Sequence, residues 1–191
     1  MTNLFIEYYQ DSCPLRQAEI DECISNNIKN EFIHKIIIFC EFDISRFSDK
    51  KIVHIPFTER LTYEAFFKET ANYPNDTNIL SNTDIFFDET IQLAGKIKEN
   101  ECYALLRYNV QADGSLYLMG GGSRDSQDCW IFKGTVKTVK DCNFTLGVAG
   151  CDNRIAFLIH EAGYEITNTC HSIKAYHLHI TNKRNYDRFK S

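Results

Sequence analysis

The feature that most constrains the fold is the run Ile36-Ile37-Ile38-Phe39-Cys40. These residues do not alternate between apolar and polar, so a strand built from them is buried on both faces. Burial on both faces is the habit of parallel sheets covered by helices. The neighbouring sequence supplies what such a sheet needs. Residues 4–9 (LFIEYY) read as a strand, and Pro14 opens a helical pattern in Leu15, Ala18, Ile20, Cys23, Ile24 and Ile28. Residues 52–55 read as a strand stopped by Pro56, residues 61–71 as a helix, Tyr73-Pro74-Asn75-Asp76 as a turn, and residues 78–83 as the next strand. This strand–helix alternation predicts an α/β protein.

The second half is more mixed. Residues 89–98 read as a helix, and residues 102–110 and 115–119 as strands joined through Ala112-Asp113-Gly114. Gly120-Gly121-Gly122 and the polar stretch SRDSQD precede the apolar Trp130-Ile131-Phe132. Residues 153–162 read as an amphipathic helix stopped by Gly163, and SIKAYHLHI, residues 172–180, as an alternating strand. With 191 residues, 43% of them hydrophobic, the chain can bury one sizeable core, and a single domain over residues 1–191 is expected.

The net charge of −5 argues against non-specific binding to nucleic acid. The N-terminus lacks a basic leader, and no apolar run reaches bilayer length, so no transmembrane segment and a soluble, cytoplasmic protein are expected. The 8 cysteines contain no C-x-x-C pair and are read as reduced, mostly buried thiols.

Several residues invite chemistry. Open α/β sheets bind ligands beyond the carboxyl ends of their strands. Asn82, Thr83 and Asp84 in SNTDIFFDE fall at such an end. Asp84 either holds a hard divalent cation, Mg²⁺ or Mn²⁺, or makes a turn or helix cap. Asp152 precedes a helix; it either caps that helix or faces a pocket as a proton acceptor. His177 and His179, two apart on a strand, share one face and are either metal ligands or a surface pair. Asp125 and Asp128, ahead of Trp130, either recognise sugar hydroxyls or form a solvated loop. Tyr8, Tyr9 and Asp11 follow the first strand, where they could hold a base and ribose. Arg60 and Arg107 could meet a diphosphate, with ordinary packing or surface charge as the alternative for each of these five. Gly120-Gly121-Gly122 is not a phosphate loop, since G-x-x-x-x-G-K-[ST] is absent.

In order along the chain, RLTYEAFF, SNTDIFFDETI, SRDSQDCWIF and CDNRIAF…AGY…HLH resemble the GT-A fold of nucleotide-sugar glycosyltransferases. They are most similar to small transferase modules of bacteria and of large DNA viruses such as the chlorella viruses. The resemblance runs from Leu4 to about His179. SNTDIFFDE looks like the D-x-D metal motif in an N-x-D form. The resemblance implies a Rossmann-like domain with a mixed, mostly parallel sheet flanked by helices. It implies Mn²⁺ or Mg²⁺ on Asp84 and a C-terminal histidine, and a UDP-sugar donor bound near Tyr8, Tyr9, Asp11, Arg60, Asn82, Thr83, Asp84 and Arg107. Asp152 would face the acceptor hydroxyl of a glycan, as general base if the reaction inverts configuration; if it retains configuration, Asp152 or Asp128 would orient the acceptor. A hexose or deoxyhexose such as glucose or rhamnose is the implied cargo, and the host cytoplasm the implied site if the source is viral. Asn82 replaces the first Asp of D-x-D, and Cys151 stands where an acidic residue is common. At 191 residues the chain is short for the fold, and further domains are compatible with it. The alternatives are a sugar-nucleotide nucleotidylyltransferase and a non-catalytic nucleotide- or glycan-binding module.

Overall fold

A computed structural model describes residues 1–119 and 126–181 of the chain. Gly120-Gly121-Gly122 and Asp125 therefore lie outside the described residues. The elements follow in order: β1 (Thr2–Glu7), α1 (Pro14–Lys29), β2 (Lys35–Cys40), β3 (Ile52–Pro56), α2 (Tyr63–Glu69), β4 (Thr77–Ser81), β5 (Ile85–Phe87), β6 (Glu101–Leu105), β7 (Arg107–Val110), β8 (Leu116–Leu118), β9 (Cys129–Lys133), α3 (Cys151–Glu161), β10 (Glu165–Thr167) and β11 (Ala175–His177).

A 7-stranded sheet runs in the order β10-β6-β9-β4-β1-β2-β3. β1, β2, β3 and β4 are mutually parallel, β10 is parallel to β6, and β9 runs antiparallel between β4 and β6. The fold is therefore mixed α/β with a mostly parallel central sheet. The isoleucine run shows why. Ile36, Ile38 and Cys40 enter one apolar cluster with Ile20 and Ile24 of α1. Ile37 and Phe39 enter a second cluster with Phe66 of α2 and Ile155 and Ile159 of α3. Each face of β2 thus has its own helical cover, which removes water from both and rewards an unbroken apolar run.

A second sheet of 4 strands, β5-β11-β7-β8, stands beside the first. Here the structure revises three sequence expectations. The stretch 102–110 is not one strand: it breaks at the buried Leu106, and β6 and β7 serve different sheets. Of residues 172–180 only Ala175–His177 is strand, paired with β5 and β7. Residues Glu89–Lys96 form 3-10 turns rather than an α-helix. The hairpin between β7 and β8 forms as expected, with Gly114 at positive φ in its turn.

Because β1 lies between β2 and β4, the connections from β1 and to β4 leave on opposite sides of the sheet. Such a reversal opens a crevice at the carboxyl ends of the strands. Tyr8 and Tyr9 follow β1 there, and Asn82, Thr83 and Asp84 follow β4. The start of the antiparallel β9, preceded by Asp128, reaches the same edge, as does the first turn of α3 with Asp152.

Candidate functional site

Two clusters of polar side chains meet at that edge. The first centres on Asp84, which leaves the tight turn between β4 and β5. Its Oδ2 accepts from an Arg16 guanidinium nitrogen and lies 3.0 Å from His177 Nε2. Burial works to raise the Asp84 carboxyl, but the His177 ring and the Arg16 guanidinium overcome it and hold the group well below the usual carboxylate range. His179 packs edge-on to His177 with ring centroids 5.3 Å apart. The ligand atoms of Asp84, His177 and His179 all lie within 4.8 Å of one another.

The orientation of His177 follows from its other nitrogen. Arg107 Nε, which can only donate, gives a hydrogen bond to Asn109 Oδ1 at 3.1 Å. That fixes the Asn109 amide, so His177 Nδ1, 2.9 Å from the same oxygen, must be the N–H that donates to it. Nε2 then turns to the Asp84 carboxylate, and two acceptors at 3.0 Å need a proton or a cation between them. One carboxylate and two imidazoles, with an outer amide orienting one ring, form a donor set that Mn²⁺ accepts readily. Mg²⁺, which favours oxygen shells, suits it less.

The second cluster centres on Asp128, which is 4% exposed. Its Oδ1 accepts from Asn82 Nδ2 at 2.8 Å and from Arg107 Nη1, while its buried Oδ2 has no hydrogen-bond partner among the described residues. Asp152 sits beside it. It is not the cap of α3, because Gly150 occupies that position and the helix begins at Cys151. Instead its carboxylate accepts from the Gln127 backbone N–H and lies 3.4 Å from the Cys151 thiol. Burial first, and the Asp128 charge second, push the Asp152 carboxyl up to about 7. Arg107 contacts both Asp128 and Asn109, so it links the carboxylate cluster to the cation cluster.

The other residues singled out from sequence serve the walls of the crevice. The Thr83 hydroxyl donates to the Glu7 carbonyl, tying the end of β1 to the turn after β4. Arg60 pairs with Glu7 at 2.9 Å and donates to the Leu146 carbonyl at 3.3 Å. Asp11 accepts from the Cys13 N–H in a turn that leads into α1. The half-buried Tyr9 phenol is raised above its ordinary range by burial and then by the Asp84 charge. Tyr8 points the other way: its ring packs edge-on against Phe47 in the first apolar cluster, and its hydroxyl donates to Asp21.

Three residues of the site escaped sequence reasoning: Asn109, Arg16 and Glu19. Arg16 and Glu19 carried a signal. They fall in phase with Ile20, Cys23, Ile24 and Asn27 on the buried face of α1, where charge needs a partner.

No protein family model matches the chain, and no curated protein matches it. Solved structures do. The mannosyltransferase PcManGT from Pyrobaculum calidifontis, in complex with GDP-Man and Mn²⁺, superposes with a TM-score of 0.60 at 9% identity over 97% of this chain and 58% of its own. S. aureus TarS 1–349 in complex with UDP-GlcNAc gives 0.59 at 11% identity over 100% of this chain and 60% of its own. GalNAc-T7 with UDP, GalNAc and Mn²⁺ gives 0.62 at 8% identity over 99% and 45%. The chain thus spans 45% to 60% of the length of these three. A putative glucose-1-phosphate thymidylyltransferase from Bacillus anthracis also matches, with a TM-score of 0.54 at 11% identity over 92% and 89%. At such identities the likeness establishes the fold. Among the described residues, no helix is long and apolar enough to cross a membrane.

Proposed function

We propose that this chain, which has the GT-A fold of those glycosyltransferase neighbours, is a metal-dependent glycosyltransferase that moves a sugar from a UDP-sugar to a glycan hydroxyl. The observation that carries the reading is the convergence of Asp84, His177 and His179 within 4.8 Å at the sheet's switch point. Asp84, His177 and His179 would hold Mn²⁺, which when bound supplies Lewis-acid stabilisation to a departing diphosphate. Tyr9 and Asp11, on the loop after β1, are the groups for the base and ribose; Tyr8, with its ring in the core, supports that loop from beneath. Arg60 lies at the edge of the crevice, where its exposed guanidinium suits a phosphate. Arg107 and Asn82 hold Asp128 beside Asp152.

Asp152 is the proton acceptor in this reading. In an inverting reaction the acceptor O–H proton passes to the Asp152 carboxylate as the oxygen attacks the anomeric carbon and the bond from that carbon to the diphosphate oxygen breaks, releasing UDP. In a retaining reaction Asp152, or Asp128, orients the acceptor instead. The family resemblance points to a hexose or deoxyhexose of glucose or rhamnose type.

The thymidylyltransferase neighbour keeps a nucleotidylyltransferase in view. That chemistry needs free basic side chains after the first strand to meet a triphosphate. Here Arg16, the first basic residue after β1, is 4% exposed and committed to Glu19, the Leu178 carbonyl and Asp84. Calorimetry with UDP, with and without Mn²⁺, separates the readings, followed by hydrolysis of a panel of UDP-, GDP- and dTDP-sugars. The transferase reading expects UDP binding that requires Mn²⁺, and slow UDP-sugar hydrolysis lost in Asp84→Ala. Equal hydrolysis by Asp84→Ala would overturn it. Pyrophosphate release from UTP and a sugar 1-phosphate would favour the nucleotidylyltransferase. Binding of glycan alone would favour a non-catalytic module.

A further inference from the structure

Arg16 and Glu19 lie one turn apart on the buried face of α1, with side chains 4% and 10% exposed. A charge pair inside an apolar helix face stabilises less than an apolar pair of the same volume, so its contacts need another explanation. Those contacts reach far along the chain. Arg16 Nη1 bonds Glu19 Oε2 at 2.9 Å and donates to the Leu178 carbonyl at 2.9 Å, and Arg16 Nη2 donates to Asp84 Oδ2. Glu19 accepts from the Thr181 N–H at 2.8 Å and from the Thr181 hydroxyl at 3.0 Å. The Leu178 N–H donates to the Asp84 carbonyl at 3.0 Å.

These bonds bracket His179. His177 needs no clasp, because it is the last residue of β11 and both neighbouring strands hold its register. His179 lies two residues past the strand's end, next to Leu178, whose N–H bonds the Asp84 carbonyl. Leu178 on one side and Thr181 on the other are the points at which α1 grips that backbone.

We propose that Arg16 and Glu19 are positioning residues: they clasp residues 178–181 onto α1, place the His179 ring opposite Asp84, and so set the affinity of the Asp84–His177–His179 group for a divalent cation. The inference rests on the cation reading of that group. Arg16 acts twice, by holding the Leu178 carbonyl and by fixing the Asp84 carboxylate. Glu19 touches no member of the group and reaches it only through Thr181 and through Arg16, which makes it the cleaner residue to change.

The test is the dissociation constant for Mn²⁺, read by electron paramagnetic resonance of free Mn²⁺ at a temperature well below the melting transition. Glu19→Ala should weaken Mn²⁺ binding by about tenfold, the lower end of the range for a direct outer partner of a metal ligand, since Glu19 acts one contact further out. Glu19→Gln keeps an oxygen for the Thr181 N–H but turns an amide toward Arg16, so it should weaken binding less than Glu19→Ala does. Thr181→Ala, which changes a partly exposed side chain, should weaken binding a few-fold and serves if Glu19→Ala does not fold. A merely structural role for Glu19 would lower the melting temperature and leave the Mn²⁺ constant unchanged; that result overturns the inference. A parent protein that takes up no Mn²⁺ overturns the cation reading and this inference together. A parent that binds Mn²⁺ as tightly as Glu19→Ala and Thr181→Ala overturns this inference alone.

Discussion

Asp152 occupies the first turn of α3, where unpaired backbone N–H groups ordinarily favour a carboxylate. Its pKa nevertheless rises to about 7, because burial and the neighbouring Asp128 outweigh the Gln127 N–H bond. A general base is most useful when it titrates near the working pH. For Asp152 as base, kcat/KM for transfer should rise with pH through a midpoint near 7, since only the carboxylate takes the proton. A pH–rate profile on the parent and on Asp152→Asn checks this. The variant should lose about 10²- to 10⁴-fold in transfer and the rising limb with it. Asp128→Asn removes one of the two causes of the shift and should move the midpoint to lower pH. At this scale the sequence was partly legible. Asp84, Asp152 and the two histidines stand in short local patterns that can be read without a fold. Asn109 and Glu19 work through partners 68 and 162 residues away in sequence, and no local pattern encodes those pairings.

Elements were legible where periodicity and burial agreed. The isoleucine run announced a doubly covered strand, and Pro14 the start of α1. Legibility failed where tertiary pairing overrode a local pattern. Residues 102–110 have a continuous strand-like sequence, yet β7 turns away after Leu106 to pair with β11 and β8 in the second sheet. The segment 89–98 has helical spacing, but Asp88 caps it from the Thr90 N–H and also accepts from the Tyr176 hydroxyl, which ties its start to the second sheet. Gly134, just past β9, shows how strict one connection is. Its φ is +67, and a Cβ there would sit 2.6 Å from the Pro74 carbonyl oxygen. The Gly134 N–H meanwhile donates to the Asp76 carbonyl at 2.7 Å, so the backbone cannot move off without losing that bond. Gly134→Ala should destabilise the protein by about 1–3 kcal/mol. Urea unfolding should show a lower midpoint at unchanged slope. Because Lys133 pairs with Thr77 at the amino end of β4, this strain lies across the sheet from Asp84, and Mn²⁺ affinity should not change.

Over the whole molecule, the same arrangement that prepares the crevice for chemistry opposes folding. The sheet gathers Asp84, Asp128 and Asp152 at one edge, wholly or partly buried, and Asp128 Oδ2 has no hydrogen-bond partner among the described residues. Asp84 is compensated by Arg16 and His177, whereas Asp152 is not, and its pKa shows the imbalance. A carboxyl whose pKa is higher in the folded than in the unfolded chain binds more protons when folded. Its contribution is therefore most favourable below the unfolded value, about 4, and is lost as the pH rises through the folded value near 7. Asparagine cannot ionise, so Asp152→Asn escapes that loss. The variant should match or fall slightly below the parent in stability at pH near 4. It should become the more stable of the two by pH 8, with a gap on the order of a few kcal/mol. Denaturant midpoints of both proteins across that range decide the matter. A constant difference between the two curves would mean that Asp152 titrates in the folded protein as it does in the unfolded chain. The argument that its surroundings hold it ready for a proton would then fail, whatever the transfer assay showed.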